Sequence, residues 1–188
     1  CSYGYVARMD AVDICKNYRF ERQISFLEEN SEVTLVGSNV QEFSFVPGDL
    51  DQFRKLPLTN DELHKYSKFR NPINHPTVMF RKSHIIAVGS YEDVPSFEDY
   101  FLWLKLLSRG YKLRNMDDSL LFFRIGNDIM DRRSGLRYLK KEYLFLLKVY
   151  KNGYITLLDF SFSLLARFCV RMLPKAGISF IYKFLLRS

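Results

Sequence analysis

Two acidic constellations hold the side chains best able to do chemistry. One is Arg8-Met9-Asp10-Ala11-Val12-Asp13 and the other is Glu98-Asp99. Carboxylates at the carboxyl end of a strand in an α/β sheet lie where ligands usually bind. Mg²⁺ takes one or two carboxylates and completes its shell with water and substrate phosphates. Asp10 and Asp13 could therefore support a metal–diphosphate site, or they could be turn and cap aspartates ahead of a helix. Glu98 and Asp99, taken alone, are first-turn acids that satisfy free amides and the helix dipole. Being adjacent, they cannot flank a glycosidic bond as a hydrolase pair, which needs about 5–9.5 Å across the bond.

The elements that must position these residues can be read from the spacing. Tyr3 to Met9 predicts a short buried strand ending at Asp10. From about Tyr18 a helix follows, with Phe20, Ile24 and Leu27 on one face. Val33 to Gly37 and Val40 to Phe45 predict two strands, with Gly37-Ser38 between them. Pro47-Gly48-Asp49 is a turn, and Thr59-Asn60-Asp61-Glu62 is a capping box. Asn71 to Pro76 should be irregular and Thr77 to Arg81 a strand. Ser96-Phe97-Glu98-Asp99 looks like a second capping box, leading a helix through Leu102, Trp103, Leu106 and Leu107 to Gly110. Tyr111 to Met116 and Leu120 to Ile125 predict two more strands. Strands alternating with helices argue an α/β fold whose sheet is partly mixed.

Composition bounds the answer. The chain has 188 residues, 47% hydrophobic and 26% charged, with 16% aromatic side chains. This suits one domain with an appendage and excludes overall disorder. Cys1, Cys15 and Cys169 share no metal-type spacing, which excludes a disulfide scaffold and a zinc ribbon and favours a reducing compartment. The net charge of +7 is uneven: residues 131–188 hold 12 basic and three acidic side chains, while residues 1–130 are near neutral. A basic tail on a neutral body calls for an anionic partner.

After Asp131 everything reads helical. Leu136, Leu139, Tyr143, Leu146 and Tyr150 mark one long helix ending at Gly153. Asp159, Ser163, Arg167 and Arg171 then recur every four residues as a narrow polar stripe among Leu157, Leu158, Phe160, Leu164, Leu165, Phe168 and Met172. Beyond Pro174 the stripe repeats as Ser179, Lys183 and Arg187. Two amphipathic helices with basic stripes fit a membrane-surface anchor over residues 155–188, or an ordinary helical pair packed on the core. A spanning helix is disfavoured by Asp159, Arg167 and Arg171, at about 2.5–3.5 kcal/mol each near mid-bilayer. No nucleic-acid module is recognisable, and the basic residues alternate with broad apolar faces, so no nucleic-acid partner is expected.

Taken in order, these segments carry a resemblance. Tyr5-Val6-Ala7-Arg8-Met9-Asp10-Ala11-Val12-Asp13-Ile14, Arg19-Phe20-Glu21-Arg22-Gln23 and Val36-Gly37-Ser38 resemble family 2 glycosyltransferases of the GT-A fold. Within that family they resemble the type that builds bacterial exopolysaccharide, capsule and lipopolysaccharide. Asn71-Pro72-Ile73-Asn74-His75-Pro76-Thr77-Val78-Met79-Phe80-Arg81 is similar to that group's acceptor-side segment, and Phe97-Glu98-Asp99-Tyr100 with Leu102-Trp103 to its ED motif. Phe123-Arg124-Ile125-Gly126 and Arg132-Arg133 also fit.

The resemblance implies inverting transfer of a sugar from a nucleotide-sugar to a growing polysaccharide or lipid-linked acceptor. Asp99 would be the general base, with Glu98 orienting the site. Arg8, Asp10 and Asp13 would face the donor phosphates, and Mg²⁺ or Mn²⁺ on Asp10 and Asp13 would neutralise the departing diphosphate. Val12 stands where the family's motif has a third acid and cannot ligate a metal. Asn74, His75 and Trp103 would lie on the acceptor side, although His75 could instead hydrogen-bond loop backbone. The family's nucleotide-binding first strands are expected to be missing from these 188 residues. Residues 1–130 would then be the C-terminal portion of a GT-A domain with an incomplete mixed sheet, and residues 131–188 a basic helical extension. The implied location is cytoplasmic, peripheral on the inner face of the cytoplasmic membrane. An alternative is a truncated, non-catalytic relative that binds membrane or a partner glycosyltransferase.

Overall fold

A computed structural model of the chain describes residues 3–126 and 135–172. Its frame is two long strands laid side by side. Strands β1 (Tyr5–Ala7), β2 (Ile14–Cys15), β3 (Val33–Phe43), β4 (Gln52–Arg54), β5 (Met79–Arg81) and β6 (Lys112–Arg124) form one sheet in the order β1-β5-β3-β6-β2, with β4 also on β3. β3 and β6 pair in parallel along their length, and every other pairing is antiparallel. The sheet is thus mixed, in the α/β class expected from the alternation of elements.

The strand pairs expected at 33–45 and at 111–125 are each one continuous strand. The β3–β6 register shifts near Ser38 and Asn39, so the interruption is an irregularity within the ladder and not a turn. Gly37 has a packing role there. A Cβ on it would collide with Asn115 Oδ1 and Ile73 Cγ2, because the backbone of β3 passes hard against both. β4 and the short helix α3 (Lys82–Ala87) have no clear sequence pattern and were not expected.

Helix α1 (Arg19–Glu29) keeps Leu27 and Ile24 of its expected inward face against the core but not Phe20. Arg19, Gln23 and Leu27 are buried, while Phe20 is half exposed. The polar pair turns inward because it meets bare carbonyls. Arg19 Nη2 donates to Arg8 O at 2.9 Å, and Gln23 Nε2 donates to Thr77 O at 2.8 Å. Helix α2 (Asn60–Tyr66) opens on the expected capping box: Thr59 accepts from the Glu62 amide, and Glu62 reaches back to the Thr59 amide.

Helix α4 (Glu98–Ser108) carries the ED pair and is the pivot of the core. All its residues from Tyr100 to Leu107 are buried. Leu102, Trp103, Leu106 and Leu107 join Leu35, Ile73, Val78 and Phe80 of the sheet side. Tyr100, Phe101 and Leu104 join Phe145, Leu146 and Val149 of helix α5 (Gly135–Lys151). A helix apolar all round must be covered all round, and this one is. It stops at Gly110, whose φ of +80° lets the chain turn while Tyr111 N donates to Leu106 O at 3.1 Å. The expected second capping box does not form. The N-cap is Phe97, with no side-chain cap, and Ser96 lies at φ +74°. Asp99 is thereby left available for other partners.

α5 also turns differently from its expected stripe. Glu142, Phe145, Leu146 and Val149 face inward, while Leu136 and Tyr143 are exposed. Helix α6 (Leu157–Met172) inverts the ordinary arrangement: its polar stripe faces the protein. Asp159 pairs with Lys68 at 3.3 Å, Ser163 is buried, and Arg167 pairs with Glu142 at 3.2 Å. Leu158 is 82% exposed, Phe162 63% and Leu165 62%, with Leu157 and Phe168 also exposed. Among the described residues no helix is long and apolar enough to cross a membrane. Arg132-Arg133 and the second stripe at Ser179, Lys183 and Arg187 lie outside the described residues.

Candidate functional site

The loop from Asn71 to Thr77 is brought to the N-terminus of α4 by a set of short polar bonds. Asn115 Nδ2 donates to Pro57 O at 2.8 Å and to Pro72 O at 3.0 Å. Asn74 Nδ2 donates to Ser38 O at 3.0 Å, and Thr77 Oγ1 donates to Asn74 O at 2.7 Å. Two prolines limit what the loop can do by itself, and the asparagines bolt it to β3 and β6. Asn74 is therefore a buried anchor of the loop.

At the mouth of this loop sits Asp99. Asn71 Nδ2 donates to Asp99 Oδ2 at 2.7 Å. His75 Nδ1 lies 3.8 Å from the same oxygen, and both side chains keep a sliver of solvent exposure. His75 Nε2 is 3.0 Å from the Tyr91 hydroxyl, and its ring meets Trp103 edge-on at 5.9 Å. Trp103 is fully buried, so it backs His75 from the core and does not line an open acceptor surface. Burial raises the pKa of Asp99, and hydrogen bonds from main-chain amides and Asn71 pull it back. Burial and the charge of Arg8 lower His75 to about 4, so the imidazole is neutral near pH 7. Burial lifts Tyr91 to about 12.

The aspartate segment follows β1, which is a partly exposed edge strand ending at Ala7 and not the buried strand expected to run to Asp10. Arg8 Nη2 pairs with Asp10 Oδ1 at 2.6 Å. Asp13 turns inward: its Oδ1 accepts from the Arg124 amide at 3.0 Å, and its Oδ2 is buried without a hydrogen-bond partner. Burial raises the Asp13 pKa, and the charge of Asp10 adds to that. Val12 is 60% exposed, as fits a residue with nothing to ligate. Among the described residues no group of three or more His, Cys, Asp or Glu could hold a metal ion. Two carboxylates, one of them with an orphaned oxygen, suit an ion that takes the rest of its shell from phosphates and water.

The two constellations are brought to one place. The charge of Arg8 acts on both Asp99 and His75, and those of Asp10 and Glu98 act on His75. Val6, Ala7, Arg8, His75, Phe80 and Tyr91 line an open hollow of about 340 Å³, and none of the four carboxylates is among its lining. Sequence reasoning missed three contributors. Asn71 and Arg19 lie in segments that carry the resemblance but have no assigned role, and Tyr91 lies in a loop with no pattern.

No protein-family model matches the chain. Curated proteins do. An uncharacterized glycosyltransferase of Haemophilus influenzae is 39% identical over all of this chain and 70% of its own length. The amylovoran biosynthesis glycosyltransferase AmsE of Erwinia amylovora is 37% identical over 97% of this chain and 68% of its own. The chain belongs to the glycosyltransferases. Another relative of this glycosyltransferase is the UDP-Gal:alpha-D-GlcNAc-diphosphoundecaprenol beta-1,3-galactosyltransferase of Escherichia coli, 38% identical over all of this chain and 68% of its own. The fold of this chain is similar to that of about half of the solved mannosyltransferase PcManGT from Pyrobaculum calidifontis, determined in complex with GDP-Man and Mn²⁺. The TM-score is 0.54 at 15% identity, over 96% of this chain and 51% of that one.

Proposed function

We propose that this chain carries the acceptor-side and catalytic part of an inverting, family 2, GT-A glycosyltransferase of bacterial polysaccharide biosynthesis. The donor class is a nucleotide-sugar and the acceptor a glycan or lipid-linked glycan. The observation that carries this reading is Asp99 itself: a nearly buried carboxylate at the head of α4, held by Asn71, with His75 3.8 Å away. A base in such a position must be ionised yet avid for a proton. Burial supplies the avidity, and the Asn71 hydrogen bond keeps the ionised form populated.

In this reading Asp99 takes the proton of the acceptor hydroxyl as its oxygen bonds to the anomeric carbon. The bond from that carbon to the diphosphate oxygen breaks on the opposite face, which inverts the centre. Glu98 contributes charge at the mouth, and neutral His75 orients the hydroxyl without quenching the Asp99 charge. Arg8 offers its guanidinium to the departing diphosphate. Asp10 and Asp13 would hold Mg²⁺ or Mn²⁺, which supplies further positive charge to that leaving group. Arg19 fixes this strand end through the Arg8 carbonyl.

Residues 1–130 form the transferase portion in this proposal, and residues 131–188 form the basic extension. The outward apolar residues of α6, on a segment of net charge +9, support peripheral attachment to an anionic lipid surface. The surface in question is the inner face of the cytoplasmic membrane, where a lipid-linked acceptor would be met. The deciding experiment is Asp99→Asn in the natural full-length protein. Transfer should fall about 10²–10⁴-fold, the usual worth of a general base, with folding unchanged. Normal transfer by this variant would remove Asp99 from the role.

A further inference from the structure

We propose that Ser163 and Arg167, on the inward stripe of α6, are positioning residues for Asp99, because they hold the segment that places Asn71 on its carboxylate. The proposal builds on Asp99 as the base.

Three successive carbonyls follow the last turn of α2, and each has a side-chain donor from outside that helix. Ser67 O accepts from the Tyr100 hydroxyl at 2.7 Å, Lys68 O from Ser163 Oγ at 3.2 Å, and Phe69 O from Arg167 Nη2 at 3.0 Å. The end of a helix leaves carbonyls without internal partners and carries partial negative charge, so hydroxyls and a guanidinium are the matching chemistry. Arg167 Nη1 is held in turn by Glu142 Oε1 at 3.2 Å, and the planar fork keeps its two partners at a fixed spacing. Phe162 closes edge-on against Phe69, with ring centroids 5.6 Å apart.

Asn71 follows Phe69 by two residues and precedes Pro72, which restricts it to extended backbone. The short run between them has little freedom of its own, so it transmits the position of Phe69 to Asn71. Asn115 pins Pro72 from the far side. A hydrogen bond weakens steeply with length and angle, so a small shift of this run loosens the 2.7 Å contact with Asp99. The other polar and charged groups that face Asp99 are Arg8, His75, Tyr91 and the amide of Tyr100. None of them belongs to α6. A change on α6 that keeps its charge can therefore reach Asp99 by two routes, through residues 67–71 or through Tyr100, which lies beside Arg167 and whose amide donates to Asp99, and only the first passes through Asn71.

The test follows the Asp99 carboxyl by carbon-13 NMR across pH in the full 188-residue chain. Wild type, Asn71→Ala, Arg167→Lys and the double variant are compared. A donor lost from a carboxylate raises its pKa, so Asn71→Ala should move the midpoint up by about one pH unit. Arg167→Lys keeps the charge but loses the fork. It should move the midpoint in the same direction and add nothing in the Asn71→Ala background. An Arg167→Lys midpoint equal to wild type, or a shift that persists fully without Asn71, overturns the proposal. Should Arg167→Lys fail to fold, Ser163→Ala serves instead, with a smaller shift expected and an unmoved midpoint decisive against. Asp99→Asn in the transfer assay tests the base role separately, so the two ideas can fail independently.

Discussion

His75 Nδ1 stands 3.8 Å from Asp99 Oδ2, with its other ring nitrogen 3.0 Å from the Tyr91 hydroxyl. The pair joins two segments far apart in sequence, one from a proline-rich loop and one from the first turn of a buried helix. A neutral imidazole there leaves the carboxylate its charge, and the consequence is a pH dependence with a definite sign.

Burial holds His75 at about 4, below its ordinary 6.5. The unfolded chain therefore takes up a proton below pH 6.5 that the folded chain refuses until about pH 4. Stability from this residue is complete above pH 6.5 and lost as pH falls to about 4, by up to ~3 kcal/mol. Asp99 works in the opposite direction below its raised pKa, so the comparison needs a reference variant. Urea unfolding between pH 7 and 4 should show wild type losing stability relative to His75→Gln; parallel curves would mean that His75 is not held neutral.

Gly37→Ala should destabilise the fold by about 1–3 kcal/mol, as overpacking does. The new Cβ meets Asn115 Oδ1 and Ile73 Cγ2, and Asn115 is also the group that pins Pro72. Denaturant midpoints check the size of the effect. A neutral substitution would show that β3 can shift away from the loop.

Leu158→Glu with Leu165→Glu should abolish co-sedimentation with anionic vesicles. Both residues point outward, so the folded state should change by no more than about 0.5 kcal/mol. Retained vesicle binding would move the lipid contact away from α6.

Mn²⁺ added with a nucleoside diphosphate should bind at the aspartate segment, and Asp10→Asn or Asp13→Asn should weaken that binding about tenfold or more. Loss of the free-ion signal in electron paramagnetic resonance measures it. Equal binding by the variants would place any metal elsewhere.

Local chemistry in the sequence specified much of the fold. The capping box at Thr59, the stop at Gly110 and the long helix over 135–151 all depend on neighbours a few residues apart. The acids proposed for the site, Asp10, Asp13, Glu98 and Asp99, sit at element ends, where spacing alone reads equally as turn and cap chemistry; the ordered resemblance is what singled them out. Of the expected inward face of α1, Leu27 is buried and Ile24 packs on the core, but Phe20 stays half exposed while Arg19 and Gln23 turn inward to donate to the carbonyls of Arg8, Val36, Val78 and Thr77, a set of partners that exists only once the sheet has formed.

α6 shows the division most clearly. The sequence alone established a stripe of Asp159, Ser163 and Arg167 among apolar residues at helical spacing, and it did so through periodicity. Which side of that helix meets the protein was decided by tertiary structure. The surface waiting for it consists of Lys68, the carbonyls of Lys68 and Phe69, and the carboxylate of Glu142. Buried polar groups must be paired, and the stripe is what pairs them. The same rule brings Asn71 to Asp99: sequence can name both residues, but only the folded chain sets them 2.7 Å apart.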